Sequence, residues 1–143
     1  MTLKLFFILL VTFCFNTSHA QISVIANKSV PIDKAGKSQL LDYYSGEIKY
    51  WSDNKPIIVF DLKPKTDSKE RFYEYIAKNT ARMKSIWMKK LLSGEGDPPI
   101  AVESEEEMIQ RVQNTPGSIG FISSNKVKGN IKVIAVIKEK DKD

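Results

Sequence analysis

The stretch IIVFDLKPKTDSKERFYEYI (Ile57–Ile76) places a strand signal, a short loop and a helix signal in immediate succession. The apolar run Ile57–Phe60 predicts a strand that is too apolar to lie at an exposed edge. Phe72 and Ile76, with Tyr75 near them, predict the apolar face of the helix that follows. A strand, a loop and a helix in this order predict one unit of an α/β domain.

Four other short apolar runs predict the remaining strands of a five-stranded sheet. They are Ile22–Ala26, Ile100–Val102, Ser118–Ile122 and Ile131–Ile137. Helices are predicted between most of these strands, which gives the order βαβααβαββ. Alternation of this kind predicts an α/β fold in which helices flank a mostly parallel or mixed sheet. The predicted domain is 21–138, and residues 139–143 form a charged tail.

Start and stop signals predict the three other helices. The first is predicted to begin at a cap, Ser38, and to stop at Gly46. The second is predicted between a cap, Thr80, and Gly94, with one apolar face made of Met83, Ile86, Trp87 and Leu91. The third begins with the capping-box pair Ser104 and Glu107.

The first twenty residues are typical of a secretory signal peptide. A short positive segment precedes the apolar run Leu5–Phe15, and Ser18–Ala20 offers small residues for cleavage before Gln21. The apolar run is shorter than the ~20 residues that cross a bilayer, which favours cleavage over a membrane anchor. The sequence therefore predicts a periplasmic or secreted protein.

Cleavage would also limit the chemistry available to the mature chain. Cys14 and His19 are the only Cys and His, and both lie in the predicted signal peptide. Without them, disulfides, thiol nucleophiles, histidine bases and His/Cys metal sites are excluded. We therefore expect that the protein has no catalytic residue, metal or cofactor and that it is not an enzyme. The mature charge of +4 is too evenly distributed to predict nucleic-acid binding.

The loop and helix start at residues 63–68 contain the groups that can bind an anion. The first turn of a helix leaves backbone N–H groups without partners and carries partial positive charge. The hydroxyls of Thr66 and Ser68 could complete a ring of donors around a tetrahedral oxyanion, with Lys63 and Lys65 adding charge. In the alternative, Thr66 or Asp67 only caps the helix. A carboxylate at Asp67 favours capping, because it would repel an anion unless it points away.

Several motifs resemble those of periplasmic phosphate-binding proteins, the substrate-binding components of ABC importers. The segment LLDYYSGEIKYWSD, ending at Asp53, resembles the family's Ser-Gly-Lys-Ile and Trp-x-Asp motifs ahead of a strand. Thr66–Ser68 falls on the family's Ser-Gly-Thr triplet, and VQNTPGSIGFIS (112–123) resembles its Pro-Gly-x-Ile-Gly-Tyr strand. The resemblance runs from about Val24 to Ile137 in the same order. It implies one lobe of a type 2 periplasmic binding protein.

The resemblance implies a function and also shows departures from the family pattern. It implies binding of phosphate or a similar oxyanion by Lys63, Lys65, Thr66, Asp67 and Ser68, linked to phosphate uptake. Asp67 replaces the family's glycine, and Leu62 stands where members carry arginine. Because only one lobe is matched, a homodimer or another chain would have to complete the site. The alternative is a ligand-free accessory protein that uses the same fold to dock onto a membrane permease, a sensor or another envelope partner.

Other conspicuous residues are expected to be structural. Trp51 and Trp87 are interpreted as core or loop anchors rather than pocket walls, and Asp53 as a turn residue. The acids Glu105–Glu107 lie in a helix first turn, where negative charge is stabilising. Gly117 and Gly120 are expected to permit a turn and close packing.

Overall fold

The computed structural model describes residues 21–139. The predicted signal peptide (1–20) and residues 140–143 of the predicted tail lie outside the described residues. No helix among the described residues is long and apolar enough to cross a membrane.

All nine predicted elements are present in the predicted order. The strands are β1 (Ile22–Asn27), β2 (Ile58–Leu62), β3 (Ile100–Val102), β4 (Ser118–Ser123) and β5 (Ile131–Ile137). The helices are α1 (Lys37–Ser45), α2 (Asp67–Ala77), α3 (Thr80–Ser93) and α4 (Glu105–Asn114), and a short 3₁₀ turn covers Ser124–Lys126.

The five strands form one mixed sheet in the order β3-β2-β4-β1-β5. Strand β2 runs parallel to both β3 and β4, whereas β1 runs antiparallel to both β4 and β5. The expectation of a mixed five-stranded sheet is therefore confirmed, and β2 is an interior strand as its apolar sequence predicts. All six residues of β1 are buried, because this strand lies inside the sheet.

Helices cover both faces of the sheet. Phe121 of β4 lies among the rings of Tyr44 from α1 and Phe72 from α2, and it stacks on Phe72 with the ring centroids 4.2 Å apart. Its neighbour Gly120 lies against Met108 of α4. Because successive strand residues point to opposite faces, α1 and α2 lie on one face and α4 on the other.

Three sequence predictions about helix ends and faces are wrong in detail. Helix α1 begins at Lys37, two residues earlier than it would with the predicted cap at Ser38. Gly36 is the N-cap instead, and its amide donates to Gln39 Oε1 at 2.9 Å. Helix α3 is capped by Asn79 rather than Thr80, because the Asn79 side chain accepts the Arg82 amide at 2.8 Å. Leu91, predicted on the apolar face of α3, is 49% exposed.

The capping box of α4 is confirmed only in its first half. Ser104 Oγ accepts the Glu107 amide at 3.1 Å, as predicted. The Glu107 carboxylate, however, accepts the amide of Glu103 at 2.7 Å and not that of the cap residue itself. The predicted stops at Gly46 and Gly94 are confirmed, since both residues adopt the left-handed conformation.

The carboxyl ends of the three parallel strands meet at one edge of the sheet. Leu62, Val102 and Ser123 are the last residues of β2, β3 and β4. Helices α2 and α4 begin just after β2 and β3, so their first turns lie at this same edge. In open α/β sheets this edge is where ligands commonly bind.

Candidate oxyanion site at the start of α2

Thr66 is the N-cap of α2. Its backbone is extended, and its Oγ1 accepts the amide of Lys69 at 3.2 Å. Its carbonyl oxygen accepts the amide of Glu70 at 3.0 Å, which is the first hydrogen bond of the helix. Thr66 rather than Asp67 is therefore the residue that caps the helix. The amides of Asp67 and Ser68 belong to the first turn, where a helix offers no internal acceptor.

The hydroxyl of Ser68 is hydrogen-bonded to the hydroxyl of the cap residue Thr66. The side chain of Ser68 is buried, and its Oγ lies 3.0 Å from Thr66 Oγ1. Either hydroxyl can donate in this pair, and Thr66 Oγ1 accepts the Lys69 amide at the same time. One of the two hydroxyl protons at the candidate site is therefore engaged within the pair.

Asp67 lies outside this hydroxyl pair. Its side chain is 81% exposed, and its Oδ2 lies 3.9 Å from a guanidinium nitrogen of Arg71. The carboxylate consequently points away from Thr66 and Ser68, although it stands at the position that the sequence made most unfavourable for an anion.

The lysines before the helix lie near acids on the surface. Lys63 Nζ is 3.1 Å from Glu103 Oε1, and Lys65 Nζ is 3.6 Å from Glu70 Oε1. Both lysine side chains are exposed, so these pairs hold them weakly. Leu62, at the position of the family's arginine, is 1% exposed and packs in the core.

The start of α2 borders a pocket of about 400 Å³. Basic residues on its wall are Lys63, Lys65, Lys69 and Lys84, and apolar ones include Met83, Trp87, Pro98 and Pro99. Asp61 is the acid on the same wall. The wall of the pocket therefore has a surplus of positive charge, which favours anions over cations.

Asp61 is held by two neighbours from α2. Lys69 Nζ lies 3.3 Å from its Oδ2, and Tyr73 lies close enough to lower its pKa. Burial raises the pKa of Asp61 above its ordinary value, and the attraction of Lys69 offsets only part of this rise. Burial raises the pKa of Tyr73 well above its ordinary value too, with the charge of Asp61 adding to the effect.

Glu105 also lies at this edge of the sheet. The sequence predicted only that it stands in the first turn of a helix. It is 8% exposed, and its Oε1 accepts the Ser123 amide at 2.8 Å and the Ser123 hydroxyl at 3.0 Å. Lys126 Nζ lies 2.9 Å from its Oε2. Burial by itself raises the pKa of Glu105, but hydrogen bonds from Lys126, Ser123 and Ser68 bring it below its ordinary value. Glu105 is thus ionised at neutral pH and held by β4 and the 3₁₀ turn.

One feature of the sequence could have predicted that Glu105, Ser123 and Lys126 lie close together. Each ends a strand or follows a strand end by three residues, and parallel strands place their carboxyl ends at one edge. The sequence does not establish which strands are parallel, so these three residues could not be grouped from it.

Trp51 and Asp53 are confirmed as structural residues, whereas the prediction that Trp87 is not a pocket wall is wrong. Trp51 is buried and donates to the Gly117 carbonyl at 2.9 Å, and Asp53 accepts the Lys55 amide at 3.2 Å in a turn. Trp87 donates to the Tyr44 carbonyl at 2.8 Å, but it also lines the pocket beside α2. Within residues 21–139, no group of three or more His, Cys, Asp or Glu residues is arranged to hold a metal ion.

The sequence matches no family model and no curated protein. Solved structures with the same fold are nevertheless found. One is a Clostridium perfringens protein described as a phosphate ABC transporter substrate-binding protein, with bound phosphate (TM-score 0.65, 18% identity, covering 85% of this chain and 58% of that one). Others are an ABC-type phosphate transport receptor from Vibrio cholerae (TM-score 0.62, 19% identity, 80% and 46% covered) and PstS from Borrelia burgdorferi (TM-score 0.60, 18% identity, 81% and 47% covered).

This chain spans about half the length of these proteins. The structures it resembles are substrate-binding proteins, in agreement with the resemblance inferred from the motifs. The described part of the chain therefore has the α/β fold of a single lobe of phosphate-binding proteins.

Proposed function

We propose that this protein is an exported solute-binding protein of the cell envelope that binds phosphate or a similar oxyanion at the start of α2. The observation that carries the proposal is the hydroxyl pair of Thr66 and Ser68, 3.0 Å apart in the first turn of α2. This turn lies at the carboxyl edge of the parallel strands and beside a lysine-rich pocket. Linkage to phosphate uptake, through a membrane permease or sensor, belongs to the same proposal.

The donors for the oxyanion are the first-turn amides of Asp67 and Ser68, the two hydroxyls, and the ammonium groups of Lys63 and Lys65. Asp67 contributes its amide only, since its carboxylate pairs with Arg71. The two lysines supply charge but not the planar, bidentate geometry of an arginine.

The affinity of the single chain is expected to be weak. The hydroxyl proton that joins Thr66 to Ser68 must leave its present acceptor before it can bind a ligand, and that exchange cancels part of the gain. We expect a dissociation constant on the order of 1 mM, which a second copy or another chain that covers the site would lower.

Calorimetry with phosphate and sulfate tests the proposal. The double variant Thr66→Ala/Ser68→Ala removes both hydroxyls and should abolish the binding heat. Asn79→Ala is the matched control, because it deletes an N-cap of the same kind from α3 and should leave binding unchanged. Absence of heat from the wild-type protein at millimolar ligand, or an equal loss in both variants, would contradict the proposal.

A second candidate function is docking onto another protein of the envelope without a small ligand. The last turns of α3 expose Met88, Leu91 and Leu92, and Leu92 is 83% exposed. A nearby pocket of about 360 Å³ is lined by Ile48, Tyr50 and Ile100, all of them exposed apolar residues. Apolar residues grouped on a surface in this way are typical of interaction sites.

The docking function is tested by crosslinking from defined positions in cells. A photoreactive residue at Leu92 should give a discrete crosslinked product, and the same residue at exposed Gln110 on α4 should not. Equal crosslinking from both positions would remove this second function.

A further inference from the structure

The pocket of about 400 Å³ beside α2 is formed by three separate parts of the chain. The first is the end of β2 with the start of α2, and the second is the pair Pro98 and Pro99 just before β3. The third is one face of α3, whose members follow each other at helical spacing: Thr80, Met83, Lys84 and Trp87. Pockets that hold small organic molecules measure roughly 300–1,000 Å³, so this one has room for a body larger than a phosphate ion.

The apolar side of the pocket is rigid. Met83 is buried, and the indole Nε1 of Trp87 donates to the Tyr44 carbonyl at 2.8 Å, which fixes the orientation of the ring. The rings of Pro98 and Pro99 restrict the backbone next to them. An aromatic or apolar group that packs against such a surface leaves water without ordering flexible side chains, so its burial contributes directly to affinity.

The polar side of the pocket carries more positive charge than its neighbours neutralise. Lys69 is compensated by Asp61, whose Oδ2 lies 3.3 Å from its Nζ. Lys63 and Lys65 meet only exposed acids, at 3.1 and 3.6 Å, and such pairs are weak. Lys84 is exposed and forms no ion pair within the described part of the chain. Three ammonium groups are therefore available to an anion in this pocket.

We propose that this pocket binds an organic anion, that is, an acidic group carried on an aromatic or apolar body. The ammonium groups of Lys63, Lys65 and Lys84 hold the acidic group, and the body packs against Trp87 and Met83. The inference goes beyond the proposed function, because it assigns a larger solute than phosphate and needs no bond to the hydroxyl pair of α2.

A ligand with both features binds more tightly than either half alone. Inorganic phosphate meets the lysines but leaves the apolar side of the pocket in water, and a neutral aromatic molecule does the reverse. Burial of about 60 Å² of apolar ligand surface is sufficient for a gain of roughly tenfold in affinity.

Calorimetry of the wild-type protein with three probes tests the inference. Phenyl phosphate carries both features, inorganic phosphate carries only the charge, and phenol carries only the ring. Phenyl phosphate should bind at least about tenfold more tightly than either of the other two. No binding of phenyl phosphate at millimolar concentration, or equal affinity for phenyl phosphate and inorganic phosphate, would overturn the inference.

Charge reversal on α3 locates the acidic group. Lys84→Glu should weaken the binding of phenyl phosphate at least about tenfold, because a carboxylate then faces the anion. Lys89→Glu is the matched control, since Lys89 is an exposed lysine of the same helix that lies about 140° further around its axis and outside this pocket. Its reversal should change the affinity by less than about threefold, because solvent and salt screen the more distant charge.

Both reversals are at exposed positions, so both variants are expected to fold. An equal loss of affinity in the two variants would mean that only the net charge of the protein matters, and the pocket would be rejected as the site.

Tryptophan fluorescence locates the aromatic body. The chain has two tryptophans, of which Trp87 lines this pocket and Trp51 is buried outside it. Phenyl phosphate should change the emission of the wild type, because its ring displaces water from the indole of Trp87, and the variant Trp87→Phe should lose this change. An emission change that persists in Trp87→Phe would contradict the inference.

The two proposals fail in different ways. If inorganic phosphate binds through the hydroxyl pair and phenyl phosphate binds no more tightly, the proposed function stands and the organic-anion pocket is wrong. If phenyl phosphate binds with the expected dependence on Lys84 and inorganic phosphate gives no heat, the pocket stands and the hydroxyl pair is not an oxyanion site.

Discussion

The ammonium of Lys69 lies 3.3 Å from the carboxylate of Asp61, and the two side chains are only 16% and 18% exposed. Lys69 Nζ also donates to the Leu62 carbonyl at 2.6 Å. One cation thus ties the first turns of α2 to the end of β2. A partly buried pair of this kind is costly to break, because the remaining charge stays in a region of low polarity.

Lys69→Met should therefore destabilise the protein by about 1–3 kcal/mol. The deficit relative to the wild type should grow as the pH rises through the folded pKa of Asp61, which lies above the ordinary value of 3.8. Loss of the lysine raises the folded pKa further, so the folded wild type releases a proton that the folded variant keeps. Urea denaturation across this pH range measures the effect.

Lys65→Met is the control, because it removes a cation from an exposed pair. It should change the free energy of unfolding by about 0.5 kcal/mol or less. Equal losses in the two variants would contradict the prediction.

Gly117 and Gly94 offer a matched pair of left-handed glycines, with φ of 75° and 72°. A Cβ on Gly117 would lie 2.7 Å from the Pro56 carbonyl oxygen, whereas a Cβ on Gly94 would meet nothing within 4 Å. Gly94→Ala should cost about 1–2 kcal/mol, from backbone conformation alone. Gly117→Ala should cost clearly more, because backbone atoms must shift as well. Thermal unfolding of the two variants measures the difference, and equal melting temperatures would show that the contact with Pro56 is relieved without cost.

Glu105 should make stability fall in acid. Its folded pKa lies below the ordinary glutamate value of 4.5, so its contribution is complete above pH 4.5 and is lost as the pH falls through the lowered value. At neutral pH, Glu105→Gln should be less stable than the wild type by about 1–3 kcal/mol, since charged hydrogen bonds become neutral ones. The difference between the two proteins should shrink below pH 4.5 in urea titrations. A difference that stays constant with pH would argue against an ionised, hydrogen-bonded Glu105.

Tyr44 joins α1 to β2 through a buried hydrogen bond from its hydroxyl to the Phe60 carbonyl, 3.0 Å long. Tyr44→Phe keeps the ring among Phe72 and Phe121 but leaves that carbonyl without its side-chain donor. We expect a loss of about 1–2 kcal/mol in chemical denaturation. Tyr50→Phe is the control, because Tyr50 is 62% exposed and its substitution should be nearly neutral. A neutral Tyr44→Phe would mean that water replaces the hydroxyl.

The sequence predicted every helix and strand because their signals are local. Apolar runs identified the strands, and Gly46 and Gly94 identified two helix ends through a conformation that glycine adopts easily. The errors were also local. Asn79 and Thr80 are both good caps, and only the hydrogen bond from the Arg82 amide distinguishes them. Leu91 has the right spacing for the apolar face, but the last turns of α3 are largely exposed.

The arrangement of the sheet and the neighbours of the candidate site could not be predicted in the same way. Thr66 and Ser68 were identified because they precede a helix. That Glu105 bonds to Ser123 depends on which strands run parallel and on how α4 packs against β4. Both are set by packing in three dimensions, which the spacing of residues along the chain does not contain.

The position of β1 has a consequence for the order of folding. This strand pairs on one side with β4 and on the other with β5, so Ile22 lies opposite both Ser123 and Ile137. Both partners are about a hundred residues away along the chain, and closing loops of that length is entropically slow. The first strand to leave the ribosome is thus the last to find its neighbours, and a nascent chain that lacks β5 keeps a largely apolar segment open to chaperones.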